Sequence, residues 1–222
     1  MIGLLGGSFD PIHLGHLIVG QAVAEALGLA ELRFMPTGEQ PLKRGRHVAS
    51  AAQRVAMAAA AVEGEAGLSV ERSEAERAGP SYTVETLRAL RAREPGREFV
   101  VLLGADAAAD LDQWHEAAAL PGLARLVAFT RAGAPRPAHP FLHAVVEAPA
   151  VEISSTAIRQ RVAAGRSIRY LVPGAVAEYI ATQTISLDMP GAHLNLAVVY
   201  GNTGKRDLAE QHYLKALRID PD

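Results

Sequence analysis

Apolar residues along the chain fall into short continuous runs, separated by longer stretches in which they recur every three or four positions. Continuous runs of this length are typical of strands covered on both faces, and the longer periodic stretches are typical of helices. The pattern predicts strands over residues 2–5, 32–35, 68–70, 99–103, 126–129 and 144–151.

Helices are predicted between these strands from the residues that start and stop them. The first covers about 13–27, the second begins at Ser50, the third begins near Thr83 and the fourth begins at Ser155. Ser50 and Gln53 form a capping box, which marks the start of the second helix. Gly28, Pro95 and Gly165 mark the ends of the first, third and fourth helices. Such alternation predicts an α/β protein with a doubly wound parallel sheet, which binds ligands at the carboxyl ends of its strands.

The C-terminal segment differs from the rest of the chain. A break at Pro190-Gly191 precedes it, and the spacing within 190–222 resembles one tetratricopeptide repeat, a helix–turn–helix unit of about 34 residues. One such unit cannot bury its own apolar face. We therefore expect a main domain over 1–186 and a small helical hairpin over 190–222. The hairpin is expected to dock on the main domain or on a second copy of the chain, as a homo-oligomer, with peptide binding as the alternative.

Composition excludes several classes of protein. The 222 residues are 49% apolar and 21% charged, which excludes a disordered chain, and the absence of cysteine excludes disulfides and thiolate sites and fits a reducing cytoplasm. A net charge of −2 gives no basic field for nucleic acid or a membrane surface. With no signal peptide and no membrane span in the sequence, we expect a cytoplasmic protein.

The residues after the first predicted strand form a candidate phosphate site. Gly7, Ser8 and Phe9 lie in a turn between a strand and a helix, where backbone N–H groups and the helix dipole favour an anion. His13 and His16 share one face of the first helical turn, and both can donate to phosphoryl oxygens. Gly15 lies between the two histidines, and close approach of a base or ribose would account for it.

Further basic and hydroxyl groups point to a polyphosphate. Ser155 and Thr156 start the fourth predicted helix, and Arg159 follows one turn later, within reach of the same anion. Lys43 is the only lysine in the first 188 residues and would act as a compact positive charge.

A second group of residues suits a flat ring that carries a carboxylate. Tyr82 and Thr83 lie at the start of the third predicted helix, where an anion is favoured. Asp106 follows the fourth predicted strand, and the only tryptophan, Trp114, comes shortly after it and offers an aromatic face.

These motifs carry a resemblance to a known family. The run from Gly6 to His16 resembles the His-x-Gly-His nucleotidyltransferase superfamily, and residues 81–83 with Gly104-Ala105-Asp106 and Trp114 are similar to the bacterial nicotinate-nucleotide adenylyltransferases. The resemblance covers about residues 1–185. It implies a Rossmann-like fold and an enzyme that joins ATP and nicotinate mononucleotide into nicotinate adenine dinucleotide and pyrophosphate, with Mg²⁺ accompanying ATP.

The resemblance also implies roles for individual residues. By similarity, His13, His16, Lys43 and Arg159 handle the ATP phosphates, Gly7, Ser8, Phe9, Gly15, Asp106, Ser155 and Thr156 shape the ATP cleft, and Tyr82, Thr83 and Trp114 hold the nicotinate. No residue is expected to ligate a metal by itself. The chain departs from the family pattern at Leu42 and His115.

Two alternatives remain for the function. The acceptor could instead be nicotinamide mononucleotide or phosphopantetheine, or the chain could be an interaction module built on the repeat, with a vestigial catalytic domain. The complete set of His13, His16 and Arg159 argues against the second alternative.

Overall fold

A parallel sheet runs through the computed structural model, which describes residues 1–39, 48–131, 133–185, 190–202 and 204–219. In that part of the chain the sheet has six strands in the order β3-β2-β1-β4-β5-β6, and every neighbouring pair is parallel. The strands are β1 (Ile2–Gly7), β2 (Glu31–Pro36), β3 (Leu68–Val70), β4 (Phe99–Gly104), β5 (Arg125–Arg131) and β6 (Leu142–Ala148).

Helices cover both faces of the sheet. They are α1 (Leu14–Ala26), α2 (Ala51–Val62), α3 (Ser73–Glu76), α4 (Thr83–Arg93), α5 (Ala105–Ala109), α6 (Ser155–Ala163), α7 (Gly174–Ile185), α8 (Pro190–Asn202) and α9 (Arg206–Ile219). On β4, Val100 and Leu102 belong to the core cluster shared with α1, α2, α6 and α7, whereas Val101 and Leu103 belong to the cluster shared with α4 and α5. This alternation explains the continuous apolar runs, because successive side chains of a strand enter opposite cores.

The α/β fold with a doubly wound parallel sheet is confirmed, and most of the predicted ends hold. Ser50 caps α2, and its hydroxyl accepts the Gln53 N–H while the Gln53 side chain accepts the Ser50 N–H. The largest difference is in the last strand, because β6 covers Leu142–Ala148 and not 144–151. Pro149 follows it and lacks the N–H that a further ladder bond would need. The sequence pattern did not predict α3 and α5, because helices of four and five residues are too short to show a repeat of apolar positions.

The C-terminal segment forms a helical hairpin of α8 and α9, and α8 packs against α7. Val199 joins the core cluster of the main domain, and Lys205 Nζ lies 4.0 Å from Glu178 Oε1. The hairpin therefore docks on the main domain, while Leu208, Tyr213, Leu214 and Leu217 are exposed. The tetratricopeptide resemblance, the domain boundary and assembly through this face stay predictions. Within the described ranges no helix combines the length and apolar composition needed to cross a bilayer.

Candidate active site

A cavity opens where the chain direction across the sheet reverses. β1 lies between β2 and β4. The chain adds β2 and β3 on one side of β1 and then returns to add β4 on the other side, so a crevice forms at the carboxyl ends of the strands. The cavity has a volume of about 340 Å³. Its walls include Gly7 at the end of β1, Ser8 and Thr37 after β1 and β2, Glu74 on α3, residues 81–83 at the start of α4, and Asp106, Trp114 and His115 after β4.

Hydrogen bonds of two oppositely charged side chains, Arg54 and Asp10, connect the loop after β1 to the residues around the start of α2. Arg54 is 1% exposed, and its Nη1 donates to the Ser8 carbonyl at 2.8 Å. The Asp10 carboxylate accepts the Val48 and Ala49 N–H groups at 2.8 and 3.1 Å. These contacts fix the loop to the start of α2, which leaves its Gly7-Ser8 part free to line the cavity.

The start of α6, which carries Ser155, Thr156 and Arg159, is hydrogen-bonded to the same loop. The Ser155 hydroxyl donates to the Pro11 carbonyl at 2.9 Å, and Arg159 Nη1 donates to the Asp10 carbonyl at 2.6 Å. Arg159 Nη2 also donates to Thr156 Oγ1 at 3.2 Å. Segments about 145 residues apart in sequence therefore meet at one place. The guanidinium is held in position, with further N–H groups left for an anion.

His13 and His16 form a stacked pair at the start of α1. Their ring centroids are 3.6 Å apart with an interplanar angle of 21°, and the Phe9 ring meets His16 edge-on at 5.0 Å. The His13 N–H lies 3.2 Å from His16 Nδ1, which accepts it. In the neutral ring the proton is then on Nε2, so His16 presents Nε2–H as a donor.

Burial favours the neutral form of both imidazoles. It lowers the pKa of His13 to about 4 from the usual 6.5. The pKa of His16 is lowered to about 3, first by burial and then by the nearby charge of His13. A bound polyphosphate would raise both pKa values again, because an opposite charge favours the protonated form.

Gly15 lies close to the His13 ring. A Cβ at this position would lie 3.0 Å from His13 Nδ1 and 3.4 Å from Val151 Cγ1. A larger side chain at this position would therefore crowd the His13 ring and Val151. The predicted approach of a base or ribose to Gly15 stays a prediction.

The segment predicted to bind nicotinate, residues 81–83, begins α4 and is hydrogen-bonded to the residues that follow β2. The Ser81 N–H donates to the Glu39 carbonyl at 2.8 Å, and Ser81 Oγ accepts the Gly38 N–H at 3.0 Å. Tyr82 is the N-cap of α4, and its side chain makes no capping hydrogen bond. The first N–H groups of a helix lack intrahelical acceptors, so the start of α4 supplies donors at the wall of the cavity.

Trp114 lines the same cavity as this segment. It is half-buried against the core cluster below α4 and α5. The adjacent His115 ring lies 4.3 Å from the Tyr82 ring, centroid to centroid, and Arg88 pairs with Glu116 at 2.6 Å. The His115–Tyr82 contact and the Arg88–Glu116 pair therefore tie the loop of Trp114 to α4.

The predicted residues form two adjoining groups. Gly7, Ser8, Asp106, Tyr82, Thr83 and Trp114 line the cavity. Phe9, His13, Gly15, His16, Ser155, Thr156 and Arg159 gather around the loop that follows β1 and do not line it. Lys43 and Leu42 lie outside the described residues. Among the described residues, histidines and carboxylates form no group of three that could hold a metal ion.

Sequence reasoning missed three residues of this region. Arg54 had a signal, because it lies on the same helical stripe as the buried Met57 and Ala58 of α2, where an arginine is out of place. Glu74 is 2% exposed and Thr37 Oγ1 is buried with no hydrogen-bond partner among the described residues. Neither has a local pattern that predicts burial, because both are covered by elements distant in sequence.

Comparisons with known proteins agree with this geometry. The cytidylyltransferase-like family model matches residues 4–161. A Gemmatimonas aurantiaca protein named "Probable nicotinate-nucleotide adenylyltransferase" is 43% identical over 198 residues, covering 85% of this chain and 93% of that protein. A protein of the same name from a Roseiflexus species is 46% identical over 189 residues, covering 81% and 94%.

Solved structures show the same fold. The Plasmodium falciparum nicotinic acid mononucleotide adenylyltransferase complexed with NaAD matches with a TM-score of 0.61 at 18% identity, covering 83% of this chain and 96% of that one. The same enzyme complexed with APC matches with a TM-score of 0.62 at 17% identity, with the same coverage. At these identities the likeness establishes the fold alone.

Proposed function

Because the chain belongs to the cytidylyltransferase-like family, among relatives named nicotinate-nucleotide adenylyltransferase, we propose that it transfers the adenylyl group of ATP to nicotinate mononucleotide. The products are nicotinate adenine dinucleotide and pyrophosphate, so the enzyme is a nucleotidyltransferase of NAD biosynthesis.

One observation carries the proposal beyond family membership. The cavity at the carboxyl ends of β1 and β4 combines the Gly7-Ser8 turn with the donor-rich start of α4 and the face of Trp114. A phosphate site and a site for a flat, negatively charged ring are thereby adjacent. This is the arrangement that joining a nicotinate nucleotide to ATP requires.

The reaction needs placement and charge stabilisation more than a general base. The 5′-phosphate of the acceptor is already ionised near pH 7 and attacks the α-phosphorus of ATP. A new P–O bond forms while the bond from the α-phosphorus to the bridging oxygen breaks, and pyrophosphate leaves with that electron pair. The catalytic groups therefore have to hold the two phosphates in line and stabilise the charge on the leaving group.

We assign these tasks to the loop after β1 and to α6. His16 donates through Nε2–H, and Arg159 adds a fixed positive charge beside Asp10. An approaching polyphosphate raises the pKa of His13 from its lowered value and so favours the protonated form, which makes the stronger hydrogen bond. Lys43 is assigned to the same phosphates by family resemblance. ATP would bring Mg²⁺ with it, and the ion would neutralise part of the phosphate charge that His16 and Arg159 face.

Acceptor selectivity tests the proposal directly. Purified protein is incubated with ATP, Mg²⁺ and nicotinate mononucleotide, nicotinamide mononucleotide or phosphopantetheine, and pyrophosphate release is followed together with the dinucleotide product. We expect kcat/KM to favour the nicotinate nucleotide over the nicotinamide nucleotide by about 10² or more, because the amide leaves buried donors unpaired.

Each other outcome has a definite meaning. Equal use of the two pyridine nucleotides would contradict recognition of the carboxylate, though not adenylyl transfer. Turnover with phosphopantetheine alone would assign a different acceptor. No product with any acceptor would contradict the enzymatic function and favour an interaction module.

A further inference from the structure

Glu74 is a buried carboxyl group beside the acceptor side of the cavity, and the proposed reaction gives it no task. It lies on α3, is 2% exposed and belongs to the cavity wall. Its backbone carbonyl accepts the Ser81 hydroxyl at 3.4 Å. A Cβ on Gly38 would come within 2.3 Å of the same carbonyl oxygen, so only glycine fits there. The short helix is thus packed tightly against the segment that begins α4.

The carboxyl of Glu74 reaches the start of α4 through one hydroxyl. Thr86 Oγ1 lies 3.2 Å from Glu74 Oε1 and 3.3 Å from the Tyr82 carbonyl oxygen, and it accepts from Arg77 Nη2 at 3.1 Å. Thr86 is fully buried. All the partners of this hydroxyl therefore come from within the protein.

The hydrogen-bond count depends on the proton of Glu74. A hydroxyl has one hydrogen and two acceptor positions, and Arg77 occupies one of the latter. A neutral Glu74 donates to the other, so the Thr86 hydrogen is free for the Tyr82 carbonyl and every group is satisfied. An ionised Glu74 competes with that carbonyl for the single hydrogen, which leaves the Tyr82 carbonyl with only the Thr86 N–H at 3.2 Å and weakens the side-chain support at the start of α4.

The surroundings favour the neutral acid near pH 7. Burial raises the pKa of Glu74 to about 7, against smaller lowering effects of the Thr86 hydrogen bond and Arg77, while Glu71 raises it further. Nearby charged groups on the packed elements are largely engaged elsewhere: Arg77 with Glu85, Arg33 and Arg93 with Glu71 and Glu94, and Arg54 with the Ser8 carbonyl. A carboxylate ligand bound at the start of α4 would disfavour a second negative charge here.

We propose that Glu74 is a positioning residue for the acceptor, which in its protonated form supports the start of α4 through Thr86 and adds no negative charge of its own that would repel nicotinate. The inference rests on the proposed function. It predicts that binding of the nicotinate nucleotide takes up a proton at Glu74, so this acceptor binds less well once the free enzyme has lost that proton.

The test compares KM values between pH 6 and 8.5. Glu74→Gln keeps the hydrogen-bonding shape of the neutral acid and cannot ionise, and Glu76→Gln changes an exposed carboxyl on the same helix as a matched control. The ratio of the KM for nicotinate mononucleotide in the unmodified protein to that in Glu74→Gln should be near 1 at pH 6. It should rise to about tenfold by pH 8, because KM grows tenfold per pH unit above a pKa near 7. The titration of the nucleotide phosphate cancels in this ratio. The KM for ATP and kcat should be unchanged, and Glu76→Gln should follow the unmodified protein.

A second measurement needs no variant. In the unmodified protein, the ratio of KM for the nicotinate to that for the nicotinamide nucleotide should rise over the same pH range, since only the former carries the repelled carboxylate. Product formation with equal pH profiles in the unmodified protein and Glu74→Gln would overturn the role of Glu74 and leave the proposed function intact. Absence of any product from nicotinate mononucleotide would overturn both.

Discussion

Replacing Thr83 by proline removes one N–H group from the start of α4, and the structure predicts that the helix will tolerate it. Thr83 is the first residue of α4, where proline is favoured because its missing N–H has no intrahelical acceptor. The preceding Tyr82 has φ −108° and ψ 123°, an extended conformation that a residue before proline adopts readily. Among the described residues, no backbone acceptor is paired with the Thr83 N–H.

The expected loss follows from the kind of hydrogen bond removed. A bond from an N–H group to a carboxylate contributes about 1.5–3 kcal/mol, which corresponds to about 10- to 150-fold in kcat/KM for nicotinate mononucleotide. The free energy of unfolding should change by less than about 1 kcal/mol, because no native hydrogen bond is broken.

Steady-state kinetics with both pyridine nucleotides and urea unfolding test this prediction. Thr83→Ala is the matched control, because it removes the side chain and keeps the N–H, and it should lose only a few-fold in kcat/KM. The nicotinamide nucleotide should lose less than the nicotinate nucleotide in Thr83→Pro. A folded Thr83→Pro protein with unchanged kcat/KM, or with equal losses for the two acceptors, would refute recognition of the carboxylate at this position.

Three further substitutions probe the rest of the site. His16→Ala removes the Nε2–H donor and should lower kcat by about 10²–10³, and near-full turnover would contradict its role. Trp114→Ala should raise KM for nicotinate mononucleotide by about 5- to 150-fold with little change for ATP, whereas equal rises would mean that Trp114 is only core. Because burial raises the folded-state pKa of Glu74 to about 7 from 4.5, the unmodified protein should lose up to about 3 kcal/mol of stability relative to Glu74→Gln as pH rises from about 4.5 to 7. Urea unfolding across that range measures this, and parallel stability curves for the two proteins would contradict it.

Local signals in the sequence determined the elements and the position of the nucleotide loop. The Ser50–Gln53 capping box, the start of α4 at Thr83 and the turn at Gly7 each depend on residues a few positions apart, so they could be identified without the rest of the fold. The alternation of apolar runs and helical stretches determined the parallel sheet, because strands joined by helices run in the same direction. The carboxyl ends of these strands therefore lie at one edge of the sheet. The family motifs added the chemistry of the residues at that edge.

Only the tertiary structure decided the electrostatics and the supports of the site. Arg159 meets the Asp10 carbonyl across 149 residues, and Arg54 meets the Ser8 carbonyl across 46, contacts that no local pattern encodes. The low pKa values of His13 and His16 and the high pKa of Glu74 arise from burial by elements far away in sequence. Burial is a property of the assembled packing, since it depends on how much solvent the whole fold removes from a group. The sequence can therefore identify which side chains are titratable, while burial in the folded chain determines which of them are ionised near pH 7.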